Sequence, residues 1–122
     1  MTGVPLREIV SALDAELRTF DVPDYPGAVN GLQVANHGTV ERVAVAVDAS
    51  RSAITEAVIC GATLLIVHHG LFWGGAQPIT GVTYEKYRAL LSSNVAVYGS
   101  HLPLDLHPTL GNNVRLAQAL HL

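Results

Sequence analysis

Sulfur has little part in this chain: one cysteine, Cys60, occurs in 122 residues. An intrachain disulfide is excluded, and a thiolate metal site would lack ligands. Cys60 sits in "AVICGA", an apolar setting that predicts a small buried hydrophobe rather than a nucleophile. Basic residues are also few. Seven Lys and Arg stand against ten Asp and Glu, for a net charge of -3, and they are scattered. No basic stripe is offered to a phosphate backbone, so nucleic-acid binding gains no support. No apolar run approaches the ~20 residues of a membrane span, and no charged segment leads into an apolar one at the N-terminus. A soluble, cytoplasmic protein without a membrane partner is expected. The signatures G-x-S-x-G, G-x-x-x-x-G-K-[ST] and G-x-G-x-x-G are missing, which removes the α/β hydrolase, P-loop and Rossmann dehydrogenase readings. Ser100 beside His101 is a weak hint of a triad, because sequence neighbours rarely reach triad geometry.

What is present is apolar. At 49% hydrophobic residues and a mean hydropathy of +0.33, the chain can bury a sizeable core, and its length fits one domain, residues 1–122. Leu6, Ile9, Val10, Leu13 and Leu17 repeat at the spacing of one helical face, and Pro5 suits the first turn. "DVPDYPGAVNGLQV" then carries three prolines and Asn30-Gly31, the marks of a loop or tight turn. "VAVAV" from residue 43 is a continuous β-branched run, the pattern of a strand covered on both faces. Ser50 can cap the helix "RSAITEAVICGA", which places Ile54, Ala57, Val58 and Cys60 on one side and stops at Gly61. "TLLIV" follows, so residues 43–67 predict a β-α-β unit with parallel strands. Residues 70–81 read as a loop. "YEKYRALLSSN" is a further helix, "VAVYG" a third buried strand, and Asn112 or Asn113 can cap a last helix, "VRLAQALHL". The fold class is α/β: a largely parallel sheet with flanking helices.

Open parallel sheets gather ligands at the carboxyl ends of their strands. Here those ends carry Asp48, the pair His68 and His69, and His101 followed by Asp105. Imidazole nitrogen with carboxylate oxygen is the ligand set of Zn, Mn, Fe, Co or Ni. Consecutive strand residues point to opposite faces, so His68 and His69 share one ion only if the chain turns at Gly70. Otherwise each serves its own ion, as in a two-metal site with ions roughly 3.5–4 Å apart. In "HLPLDLH" an extended backbone would hold His101 and Asp105 about 13 Å apart at ~3.3 Å per residue. Either Pro103 bends the chain or only one of the two is a ligand. Asp105 is favoured, since a carboxylate balances cationic charge, leaving His101, the candidate catalytic group, either to support a ligand from behind or to face the substrate. Asp48 serves the site or the cap of the following helix. His37, His107 and His121 read as ordinary satisfied histidines. Phe72 and Trp73 read as loop anchors or an oligomer contact ahead of a stacking platform.

"NGLQV", "GATLLIVHHGLFW" and "YGSHLPLDLHPTLGNNVRLAQAL", in that order, resemble the Nif-three-like dinuclear metal-centre proteins, also known as GTP cyclohydrolase type 2. The similarity runs from about residue 5 to the end. It implies a cytoplasmic α/β protein assembled as a toroidal homohexamer, with two divalent transition-metal ions per subunit facing the interior. His68, His69 and Asp105 match the family's first metal-binding positions, and His101 matches a histidine lining the site. Family members are about twice as long, and their second half adds a histidine and a bridging glutamate, so this chain corresponds to the N-terminal half. The resemblance implies metal-dependent hydrolysis of a nucleotide-like or phosphate-bearing small molecule. The alternative is a non-catalytic ring-forming or protein-interaction module whose metals support assembly, in which the loop at Leu71, Phe72 and Trp73 matters more than the histidines.

Overall fold

A computed structural model describes residues 3–122. The apolar stripe read from the sequence becomes α1 (Leu6–Leu17), entered through Pro5 and ended by Arg18 in the left-handed region, with φ 52°. A short strand, β1 (Val4–Pro5), pairs antiparallel with β3 (Thr39–Val40) and ties the start of α1 to the middle of the chain. Between them lies β2 (Gly31–Val34), within the stretch whose turn residues predicted a loop. Four residues are too few to show a period, so this strand is fixed by its partner and not by its own pattern.

The β-α-β unit is present. It consists of β4 (Val43–Asp48), α2 (Arg51–Ile59) and β5 (Leu64–His69), with β4 and β5 parallel from Val43↔Leu64 to Asp48↔His69. Ser50 Oγ accepts from the Ala53 N–H at 3.1 Å and caps α2 as expected. α3 (Gly81–Ser92) leads into β6 (Ala96–Gly99), which lies parallel to β5. β2 then pairs antiparallel with β6, so the sheet order is β2-β6-β5-β4. The chain finishes with α4 (Leu102–Asp105) and α5 (Asn112–Ala119).

Helices cover the sheet on both sides. On one, Ile54 and Ala57 of α2 and Leu90 of α3 pack on Leu65, Val67 and Val97. Truncating a fully buried leucine such as Leu65 would cost about 2–5 kcal/mol. On the other side, Leu6 and Leu17 of α1 pack on Leu64, Ala96 and Tyr98. The Tyr98 hydroxyl, itself buried, donates to the part-buried Asp14 Oδ1 at 2.6 Å and lies 2.7 Å from the buried Thr19 Oγ1, linking α1 to the sheet. Burial, together with the hydrogen bond to Asp14, pushes the Tyr98 hydroxyl well above the ordinary tyrosine range.

Two further sequence expectations are corrected. "VAVAV" is not covered on both faces: α1 does not reach the outermost strand, and Val43, Val45 and Val47 are 49%, 76% and 65% exposed. Cys60 is exposed, because it lies six residues past Ile54, about 240° around a helix of 3.6 residues per turn and off the buried stripe. In "HLPLDLH" the chain bends, the first of the two alternatives that its spacing left open: Pro103 occupies the first turn of α4, where its fixed φ and missing N–H cost nothing. Among the described residues no helix is long and apolar enough to cross a membrane.

Candidate metal centre

Three adjacent parallel strands end at one rim of the sheet. β4 delivers Asp48, β5 delivers His68 and His69, and β6 runs through Gly99 and Ser100 into His101. Since α4 begins at Leu102, His101 and Asp105 are one helical turn apart, far closer than on an extended chain. The imidazoles of His68, His69 and His101 meet: ring centroids are 4.7 Å apart for His68 and His69, 4.9 Å for His68 and His101, and 5.4 Å for His69 and His101. One ligand nitrogen from each lies within 4.8 Å of the others. Opposite strand faces do not keep the adjacent pair apart, because at the last residues of β5 both rings can lean past the end of the sheet.

Each ring is held by its Nδ1. His68 Nδ1 donates to the Ser100 carbonyl at 2.8 Å, His69 Nδ1 to Asp48 Oδ1 at 2.8 Å, and His101 Nδ1 to the Asp24 carboxylate at 3.0 and 3.1 Å. A carbonyl or carboxylate oxygen only accepts, so the proton of each neutral ring sits on Nδ1 and the Nε2 lone pair is left for another partner. Metal-ligating histidines are oriented in this way. A second contact points in the same direction. His68 Nε2 lies 3.4 Å from Asp105 Oδ1, with both side chains mostly buried. When His68 is neutral, that contact sets a lone pair against a carboxylate, an arrangement that a proton or a metal cation between them would relieve. The donor set therefore fits a divalent transition metal.

The surrounding loops are pinned to the rim. Gln33 Oε1 accepts from the Leu71 N–H at 2.9 Å, while its Nε2 donates to the Ala28 and Val29 carbonyls, each at 3.0 Å. This amide lies over Gly99, where a Cβ would come within 2.8 Å of Gln33 Nε2. Gly27 approaches the backbone at Phe72 and Trp73 closely enough that a Cβ there would stand 3.1 Å from Trp73 Cα. Trp73 is thereby set edge to face near His101 and His69, with centroids 4.7 and 5.8 Å apart, and Tyr25 stands 6.3 Å from His101. Leu71 packs against the core, and Trp73 turns toward the imidazoles.

His68, His69, His101 and Asp105 thus come together at the predicted end of the sheet, and Asp48 joins through His69 while Ser50 serves as the helix cap. His37 and His121 are not among the three clustered imidazoles. His107 bonds Glu16 at 2.9 Å from its Nε2, away from the cluster. Asp24, Asn30 and Gln33 had no assigned role in the sequence. They fall in a proline-rich stretch without periodicity, and their partners are distant in the chain, 77 residues away for Asp24 and His101. Burial raises the Asp24 carboxyl, but hydrogen bonds from Asn30, His101, Leu102 and Tyr25 outweigh it and leave the pKa at about 2. A groove of about 710 Å³ between α1 and β2, lined by Leu6, Val10, Asp14, Phe20 and Leu32, contains no imidazole, so concavity alone does not lead to the cluster.

Comparison with known proteins extends these observations. The family model described as Duf34/NIF3 (NGG1p interacting factor 3) matches residues 4–122. A "GTP cyclohydrolase 1 type 2 homolog" of Pyrococcus abyssi is 47% identical over 115 residues, covering 94% of this chain and 45% of that protein. The protein of the same name from Escherichia coli K12 is 43% identical over 114 residues, covering 93% and 45%. A crystal structure of a Thermus thermophilus protein superposes with a TM-score of 0.90 at 42% identity, covering 96% of this chain and 48% of that one. The chain spans a little under half the length of these relatives.

Proposed function

The chain belongs to the Duf34/NIF3 family, and from that premise we propose that it binds a divalent transition metal on His68, His69 and His101, with Asp105 alongside, for hydrolytic chemistry on a nucleotide-like or phosphate-bearing small molecule. The observation that carries this reading is the set of three Nδ1 anchors, which leaves three Nε2 lone pairs for an ion at one rim. Three protein ligands with an open position are the usual arrangement of a catalytic zinc site. A bound ion would supply Lewis acidity, polarising a carbonyl or phosphoryl oxygen. The chain's own residues do the rest. Asp48 and the Ser100 carbonyl orient their imidazoles, Asp105 adds negative charge beside His68, and Trp73 sets an aromatic edge against His101 and His69.

The finer reading follows the relatives. Residues 1–122 act as one α/β domain equivalent to the N-terminal half of longer relatives, in a cytoplasmic homohexameric ring whose interior carries two ions per subunit. A second ion needs ligands beyond the four side chains gathered here. Ring opening of GTP, the reaction to which the relatives' names refer, is the first turnover to assay.

Metal analysis is the direct test. The purified chain should carry close to one transition-metal ion, and single His68→Ala and His101→Ala variants should lose most of it. Equal, near-zero metal in the chain and its His68→Ala variant would end the reading. A non-catalytic assembly module remains the second reading, favoured by the bare apolar face at Val43, Val45 and Val47. If Asp105→Ala abolishes turnover with oligomer size unchanged by light scattering, the enzyme reading stands. If only assembly changes, the second reading replaces it.

A further inference from the structure

We propose that Asp24 is the positioning residue of the imidazole cluster: its buried carboxylate holds His101 in the Nδ1–H tautomer and so makes Nε2 the ligand nitrogen. The proposal rests on the metal reading above and adds a residue outside the strand ends. Asp24 comes from the loop between α1 and β2, and its side chain is 5% exposed. Four donors converge on it: the Tyr25 N–H at 2.7 Å, Asn30 Nδ2 at 2.9 Å, the Leu102 N–H at 2.9 Å, and His101 Nδ1. Asn30 completes the clamp from the other side, its Oδ1 accepting the His101 N–H at 2.8 Å. Backbone and ring of His101 are therefore both fixed by one loop. A carboxylate so withdrawn from water and so fully bonded cannot trade these donors for solvent, and losing it would leave several of them unpaired.

The Asp48–His69 pair is the internal comparison. Its geometry is similar, but the Asp48 side chain is 64% exposed and that of His69 42%, so water can replace the carboxylate. Asp24 should therefore weigh more on affinity than Asp48.

The test uses the whole chain. Long-range ¹H–¹⁵N NMR of the metal-free protein reads each histidine tautomer, and titration with Zn²⁺ or Co²⁺ against a competing chelator reads affinity. His101 should be protonated on Nδ1 in the wild type. Asp24→Asn, still folded by circular dichroism, should shift that ring toward a tautomer mixture and weaken metal binding about 10–100-fold. Asp48→Asn, where water already competes for the His69 ring, and Asn30→Ala, which leaves the Asp24–His101 bond in place, should each weaken binding clearly less than Asp24→Asn. Three results would overturn the proposal: wild-type His101 protonated on Nε2, a folded Asp24→Asn with unchanged tautomer and affinity, or an Asn30→Ala loss equal to that of Asp24→Asn. The first needs no variant, so it decides even if Asp24→Asn does not fold. If the wild type binds no metal while the tautomer is as stated, the metal reading fails and the role of Asp24 in orienting His101 survives.

Discussion

Replacing Gln33 with alanine removes the amide that holds two loops over the imidazoles. Three hydrogen bonds disappear, one from Leu71 N–H and two to the carbonyls of Ala28 and Val29. At a net contribution of about 1 kcal/mol each, the ceiling is ~3 kcal/mol. The bond to Val29 is exposed and water can replace it, so about 2 kcal/mol is expected. For a chain of this size that corresponds to a fall in Tm of roughly 6–12 °C. Differential scanning calorimetry measures it, and the emission of Trp73, two residues beyond Leu71, reports whether the loop has moved. Gly99→Ala attacks the same contact from the opposite side, because its methyl would meet Gln33 Nε2 at 2.8 Å. The double variant should therefore cost clearly less than the sum of the two. A Gln33→Ala protein melting within about 2 °C of wild type, or strictly additive losses, would refute the reasoning.

Three further outcomes are expected. Tyr98→Phe leaves the Asp14 carboxylate and the buried Thr19 hydroxyl without their shared partner and should destabilise by about 2 kcal/mol in urea denaturation near pH 7. Because the folded pKa of Tyr98 is raised by burial and by Asp14, its neutral form contributes stability that is intact below pH 10 and lost as pH climbs beyond it, so the alkaline loss should be steeper in wild type than in Tyr98→Phe. Trp73 is the sole tryptophan and lies 4.7 Å from His101, so Co²⁺ or Ni²⁺ should quench its emission saturably and a chelator should restore it; quenching that persists in His101→Ala would place the ion elsewhere. Val45 is 76% exposed, so Val45→Thr should change stability by less than about 0.5 kcal/mol at low protein concentration, and a larger loss would mean that this face is covered in solution.

Much of the scaffold can be read from local pattern, and the failures have a common cause. The β-α-β unit, the Ser50 cap, the stripe of α1 and the convergence of His68, His69, His101 and Asp105 at strand ends all follow from short-range periodicity plus the topology of parallel sheets. β2 escaped because four residues among turn signals show no period, while in "HLPLDLH" the bend offered at Pro103 is taken as a short helix that the alternating pattern does not show. The exposed face of β4 escaped because composition cannot tell an outer strand from an inner one. Asp24 and Gln33 were invisible for a different reason: the contacts that tie them to the cluster and its loop span 77 and 38 residues, and nothing in their neighbours points to them.

Those long spans bear on when the cluster can exist. His68 and His69 are adjacent in any conformation, but the anchors that commit their rings lie 32 and 21 residues away, and His101 waits on a loop 77 residues upstream. Loop closure over such distances is paid in chain entropy before any contact repays it. The unfolded chain therefore offers a metal only a neighbouring pair of imidazoles. The third becomes available once β5, β6 and the Asp24 loop have met, so an ion that needs all three would mark the last stage of folding and slow its reversal.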